Sequence, residues 1–230
     1  MSITAIIVIK NEAQNLLRYF EHVRRFCDEI IVVDQHSTDT SLMLALKYAD
    51  KVFLSKNSGC NELDRVWVVS LAKNEWVCTL DPDEQFENAF VEELPRLLTL
   101  CDENKHDGIS CRIQNMYDGI EIGVGNFDQV RIARKTVKQS TRIHTGFAVK
   151  NPYITKYKQF HFKELEKALE INRKRLPFYD ARITANMDKY YSDIKNDIDR
   201  YSSFNNNLIN DSYFILNDSK LEYIQVRKCE

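Results

Sequence analysis

Residues Ile3 to Ile9 (ITAIIVI) form an almost wholly apolar, largely β-branched run with no alternation of polar and apolar positions. A strand with one solvated face alternates with period two, so a run of this kind suits a strand buried on both faces, as in a parallel sheet. Similar runs recur at Glu29 to Val33, Lys51 to Leu54 and Trp76 to Leu80. Helical patterns separate them. Ala13, Leu16, Leu17, Phe20, Val23 and Cys27 repeat at helical spacing, with Arg18, Glu21, Arg24 and Arg25 largely between them. A second helix passes through Leu42, Leu44, Ala45, Leu46 and Tyr48 after a loop rich in N-cap residues, and a third covers Glu62 to Lys73. Four strands alternating with three helices in about 80 residues predict an open, mostly parallel α/β sheet with right-handed crossovers.

That topology brings the carboxyl ends of the strands to one edge, where open α/β sheets bind their ligands. Three polar strand ends fall there: Lys10 and Glu12, Asp34, and the turn Asp81-Pro82-Asp83-Glu84. Asp81 and Asp83 have the oxygen chemistry to share a hard divalent cation such as Mg²⁺, leaving sites for water and phosphate. Taken alone, a D-x-D is as well read as a solvated acidic turn.

Composition narrows the classes. With 43% hydrophobic and 29% charged residues the chain is not broadly disordered, and a net charge of −2 gives no general pull towards nucleic acid. The six cysteines, Cys27, Cys60, Cys78, Cys101, Cys111 and Cys229, show no metal-type spacing and read as reduced core residues of a cytoplasmic protein. The N-terminal run is too short for a signal peptide, and no window approaches the ~18 apolar residues of a span. The expected location is cytoplasmic, at most peripheral at the inner membrane face.

Beyond a helix at Glu87 to Leu100, with Pro95 as an irregularity, the texture changes. Ile109 to Met116 reads as a strand, Asp118-Gly119 as a hairpin turn, and Val130 to Arg134 as a strand with its arginines on one face, packed beside the parallel sheet. Arg131 and Arg134 suit phosphate or acceptor binding or a plain solvated face. Phe162 to Arg175 is helical in pattern, and a long amphipathic helix follows through Ile183, Met187, Tyr190, Ile194, Ile198 and Tyr201. The expected divisions are 1–105 for the parallel α/β half, 106–175 for the second half of the same domain and 176–230 for a helical appendage, suited to homodimerisation or to membrane contact.

The residues Ile6 to Glu12, then Asp28 to Asp34 with Ser37-Thr38-Asp39, then Ala72 to Trp76 leading into Leu80 to Glu84, resemble the family 2 glycosyltransferases. The likeness is closest to the subgroup that builds bacterial lipopolysaccharide core and related surface glycans. The resemblance implies a GT-A fold, a nucleotide-sugar donor, most simply a UDP-sugar, a Mg²⁺ or Mn²⁺ ion, inversion at the anomeric carbon and a glycan or glycolipid acceptor. It places Val8 and Lys10 at the base and ribose, Glu12 in the family's N-E motif, and Asp34 as the carboxylate that bonds the base. Arg65 lies near the nucleotide, Asp81 on the ribose side of the D-x-D, where it can share the metal, and Asp83 on the metal itself.

The sequence departs from the subgroup's pattern in three places. Gln35-His36 replaces a small residue, Val66 replaces an asparagine, and His144-Thr145 stands where a His-Glu pair is common. The last change removes the obvious base. An inverting transfer needs a carboxylate to take the acceptor's proton, and Asp128, then Asp118 and Glu121, are the candidates. His144 and His161 are candidate late metal ligands. A D-x-D phosphohydrolase remains as an alternative, although Glu84 stands where such enzymes want Thr or Val, and so does a catalytically inactive GT-A-like binding protein.

Overall fold

The computed structural model describes residues 2–55, 61–122, 127–139 and 146–164. The first half alternates as expected: β1 (Ile3–Ile9), α1 (Ala13–Val23), β2 (Glu29–Asp34), α2 (Ser41–Tyr48), β3 (Lys51–Leu54), α3 (Asn61–Val69) and β4 (Trp76–Cys78). After it come β5 (Glu84–Phe86), α4 (Asn88–Glu103), β6 (Gly108–Tyr117), β7 (Ile120–Ile122), β8 (Asp128–Arg134) and β9 (Pro152–Lys163).

All the strands join one nine-stranded sheet in the order β3-β2-β1-β4-β8-β6-β9-β5, with β7 hydrogen-bonded to β6. β1 to β4 are parallel, in registers that set Ile9 beside Asp34 and Asp34 beside Leu54. The C-terminal ends of β1, β2 and β3 are therefore level, which makes the polar edge that the sequence predicts. The second half extends this sheet through the antiparallel pair β4–β8 and is not a separate layer beside it. β6 and β9 add a parallel pair with a register shift between Ser110 and Arg112.

Each face of the sheet buries its own core. Ile3, Ala5, Ile7 and Ile9 point to the side covered by α1, α2 and α4, against Tyr19, Phe20, Phe90 and Leu94. Ile6 and Val8 point to the side covered by α3, against Trp67 and Val68. Burial on both faces is why β1 lacks alternation; each such side chain contributes about 1.5–3 kcal/mol. Cys27, Cys78, Cys101 and Cys111 are free and buried, as their apolar settings suggest.

Five expectations need correction. Leu17 is 45% exposed and not part of the buried stripe. α3 stops at Val69, and α4 runs through Pro95 without a break. Arg131 and Arg134 are three residues apart on a strand, so their side chains leave opposite faces. Arg134 lies over the Trp76 ring at 4.6 Å and pairs with Asp102, whereas Arg131 turns into the polar edge. Phe162 and Lys163 are strand, not the start of a helix; the rest of that helical pattern and the appendage at 176–230 lie outside the described residues.

Candidate donor-binding edge

The loops after β1 and β2 are cross-linked. Asn11, in the left-handed region at φ 57°, accepts the Thr38 amide on its side-chain oxygen at 2.7 Å, and its own amide donates to Ser37 Oγ at 3.0 Å. Helix α1 has no side-chain cap of its own. Its first donors are met from the other loop: Glu12 N–H by Ser41 Oγ at 2.8 Å and Ala13 N–H by Asp39 Oδ2 at 3.1 Å. A carboxylate there also suits the positive end of the helix. Slight burial opposes ionisation of Asp39, but the bonds from Ser41 and Ala13 prevail and hold its carboxyl below the ordinary value. Asn11-Glu12 and Ser37-Thr38-Asp39 are thus one structural unit.

Asp34 is fully buried at the end of β2. Its Oδ1 accepts the Ser37 amide at 2.8 Å, and Oδ2 is closed to solvent with no hydrogen-bond partner among the described residues. Gln35, also buried, donates to Asp64 Oδ2 at 2.6 Å, and Ser55 Oγ donates to Asp64 Oδ1 at 2.7 Å. Gln35 is thereby held inside a buried polar network and not at an open surface. Val8 is 2% exposed and its side chain belongs to the core, while Lys10 and His36 are exposed.

The acidic turn is the most heavily braced part of the edge. Arg65 of α3 pairs with Asp81 Oδ1, and Arg131 of β8 donates to Asp81 Oδ2 at 2.6 Å and also to Glu84 Oε1. Arg65, Arg131 and Glu84 are 5%, 6% and 1% exposed, which excludes a plain solvated turn. Burial raises the Asp81 carboxyl, but Arg131 and Arg65 outweigh it and hold it at about 2. For Glu84 burial prevails, with Asp81 adding to it against Arg131, and its carboxyl is raised. Burial opposes the Arg131 charge, yet Asp81 and Glu84 more than offset it.

Asp83 faces another neighbour. The Phe162 amide of β9 donates to its carbonyl at 2.8 Å, and His161 Nε2 lies 3.1 Å from its Oδ2. These two side chains, 35% and 24% exposed, put one carboxylate oxygen and one imidazole nitrogen at the sheet edge. Among the described residues no cluster of three or more His, Cys, Asp or Glu side chains is arranged to hold a metal. Two side chains alone could hold a hard ion only if phosphate and water supplied its remaining ligands, and Asp81 is already committed to two guanidinium groups.

The structure brings together Arg65, Asp81, Asp83 and the candidates Arg131 and His161, and adds Glu84. The candidate bases are more scattered. Asp128 starts β8 and pairs with Arg112 at 3.3 Å; Glu121, on β7, pairs with Lys158 at 3.1 Å. Asp118, at φ 49°, and Gly119, at φ 82°, form the β6–β7 turn, as an Asp-Gly hairpin requires. His144 lies outside the described residues. Only the role of Glu84 with Arg131 had no signal in the sequence, because the two lie 47 residues apart.

The glycosyl transferase family 2 model matches residues 4–150. An uncharacterized glycosyltransferase of Rickettsia prowazekii is 26% identical over 126 residues, 51% of this chain and 40% of that protein. The lipopolysaccharide core biosynthesis glycosyltransferase LpsC of Rhizobium meliloti is 29% identical over 107 residues, 45% of this chain and 39% of its own length. The chain thus spans well under half the length of these relatives. The S. aureus TarS 1–349 structure in complex with UDP-GlcNAc shares the fold, with a TM-score of 0.55 at 16% identity, covering 71% of this chain and 59% of that 1–349 chain. Among the described residues no helix is long and apolar enough to cross a membrane. With the family model matching well over half of its length, this α/β chain of GT-A type belongs to glycosyl transferase family 2.

Proposed function

We propose that the protein is an inverting, metal-dependent glycosyltransferase that moves a sugar from a UDP-sugar to a glycan or glycolipid acceptor of a bacterial surface polysaccharide. The observation that carries this proposal is the meeting of Asp83 and His161, 78 residues apart in sequence, at 3.1 Å on the sheet edge beside Arg65, Asp81 and Arg131. The UDP-GlcNAc and UDP complexes of TarS support a uridine donor by likeness of fold, and the role of LpsC supports the acceptor class.

Asp83 and His161 would hold a Mg²⁺ or Mn²⁺ ion, which when bound supplies charge neutralisation for the leaving nucleoside diphosphate. The chain's own residues do the rest. Asp34 Oδ2, at the end of β2 and without a hydrogen-bond partner among the described residues, is suited to an N–H on the base. Arg65 and Arg131 fix positive charge near the diphosphate in a largely buried setting, where it needs no reorganisation during reaction. Asp128, half-exposed at the start of β8 and paired with Arg112, is the candidate base. It would take the acceptor hydroxyl proton as the new C–O bond forms at the anomeric carbon and the bond to the diphosphate breaks.

The phosphohydrolase alternative needs a free nucleophilic aspartate, and Asp81 is held on both oxygens by arginine. The test is release of UDP from a panel of UDP-sugars by the full chain with Mn²⁺ and a lipid-linked glycan extract. Sugar-dependent UDP release supports transfer. Phosphate release from simple monoesters, or UDP binding with no turnover on any donor, contradicts it.

A further inference from the structure

We propose that Arg131 and Glu84 form a clasp that fixes the acidic turn, making Arg131 a positioning residue for Asp83 although it does not touch Asp83. The metal-binding part of this inference rests on the donor-site reading above; the clasp itself does not.

The turn is closed by reciprocal bonds. Glu84 Oε2 accepts the Asp81 amide at 2.9 Å, and the Glu84 amide donates to the Asp81 carbonyl at 3.0 Å. Pro82, between them, has no amide to donate and a fixed φ, so the loop has few other shapes. Arg131 then bridges both carboxylates, while its carbonyl accepts the Thr79 amide at 2.8 Å, at the entry to the turn. One residue of β8 therefore holds the strand that leads in, the first residue of the turn and the last. Asp83 is the carboxylate left outside this closed unit, and it is aimed at His161 by the Phe162 amide on its carbonyl. Its backbone is thus held from β9 directly, through its carbonyl, and from β8 through the closed turn beside it. Outer partners of this kind set the affinity of a metal site by orienting its ligands.

The test uses the full chain and two variants, Glu84→Gln, nearly isosteric and still able to accept the Asp81 amide, and Arg131→Lys, which keeps a charge but not two contacts. Hydrogen exchange is followed by mass spectrometry without ligand, and UDP binding is titrated with Mn²⁺ and with EDTA. In both variants the peptide across residues 79–86 should exchange about tenfold faster while peptides from β1 and β2 keep parental rates. The Mn²⁺ needed for half-maximal UDP binding should rise about tenfold or more in both, and Glu84→Gln, at a side chain with no assigned contact to the nucleotide, should keep parental UDP affinity in EDTA. Exchange and Mn²⁺ requirement within twofold of the parent in both variants would overturn the proposal. So would acceleration spread over every peptide, since that marks a general loss of stability. Failure of the parent to bind UDP would count against the donor site and leave the exchange result to decide the clasp.

Discussion

Replacing Asp81 with asparagine removes one negative charge from between two buried guanidinium groups while leaving the shape almost unchanged. The carboxyl is held at about 2 against an ordinary 3.8. That difference corresponds to about 2.5 kcal/mol favouring the folded, ionised form. Because the folded value is the depressed one, the contribution is complete above pH 3.8 and is lost as pH falls through 2. Stranding one partner of a buried pair costs about 3–5 kcal/mol, but the Asp81 side chain is 29% exposed, so the smaller figure applies. For a chain of this size each kcal/mol moves the melting temperature by about 2–4 °C, so Asp81→Asn should melt about 5–10 °C below the parent at pH 7 by scanning calorimetry. Asp83→Asn is the control: its pair with His161 is half-exposed and, like most exposed ion pairs, contributes about 0–1 kcal/mol. If Asp81→Asn melts within about 2 °C of the parent, or Asp83→Asn falls as far as Asp81→Asn, the division of roles between the two aspartates is wrong.

His22 is buried and accepts the Phe86 amide on Nε2 at 3.0 Å, and burial, then Arg25 and Arg18, lower its value from 6.5 to about 4. It therefore contributes about 3 kcal/mol that is fully present above pH 6.5 and drains away as pH falls towards 4. Urea midpoints should drop over that window, and His22→Gln should lose most of the slope; persistence of the slope in the variant would point to another group. At Gly108 a Cβ would meet Val149 Cγ2 at 2.9 Å and Val130 Cγ1 at 3.0 Å. Gly108→Ala should cost about 1–3 kcal/mol in urea unfolding, and a variant as stable as the parent would show that the two valines move freely. Asp128→Asn should lower turnover by about 10²–10⁴-fold with UDP binding intact, whereas Glu121→Gln should stay near the parent; the reverse pattern would move the base to the hairpin.

The parallel half was legible because burial on both faces leaves an unbroken apolar run, and β1 and β3 fall where those runs fall. β9 was not, because its twelve residues mix lysines, aromatics and threonine and a register shift against β6 disturbs any period-two signal. β5 has three residues and owes its strand character to β9, which pairs with it. At the site, Asp81 and Asp83 stood out because they follow a buried strand. Arg131 and His161 were candidates too, but that they meet Asp81 and Asp83 was not legible, since they come from other strands and only topology brings them near. Arg131 also had a local ambiguity: an arginine in an alternating strand is ordinarily solvated, and only the two facing carboxylates explain its burial.

The central claim, a metal-assisted donor site centred on Asp83, is tested most directly by calorimetry of the full chain with UDP. Parent protein and Asp83→Ala would each be titrated in Mn²⁺ and in EDTA. The expected result is binding by the parent in Mn²⁺, much weaker binding in EDTA, and no gain from Mn²⁺ in Asp83→Ala. Equal affinity of the parent with and without Mn²⁺, or parental Mn²⁺-dependent binding by Asp83→Ala, would contradict it.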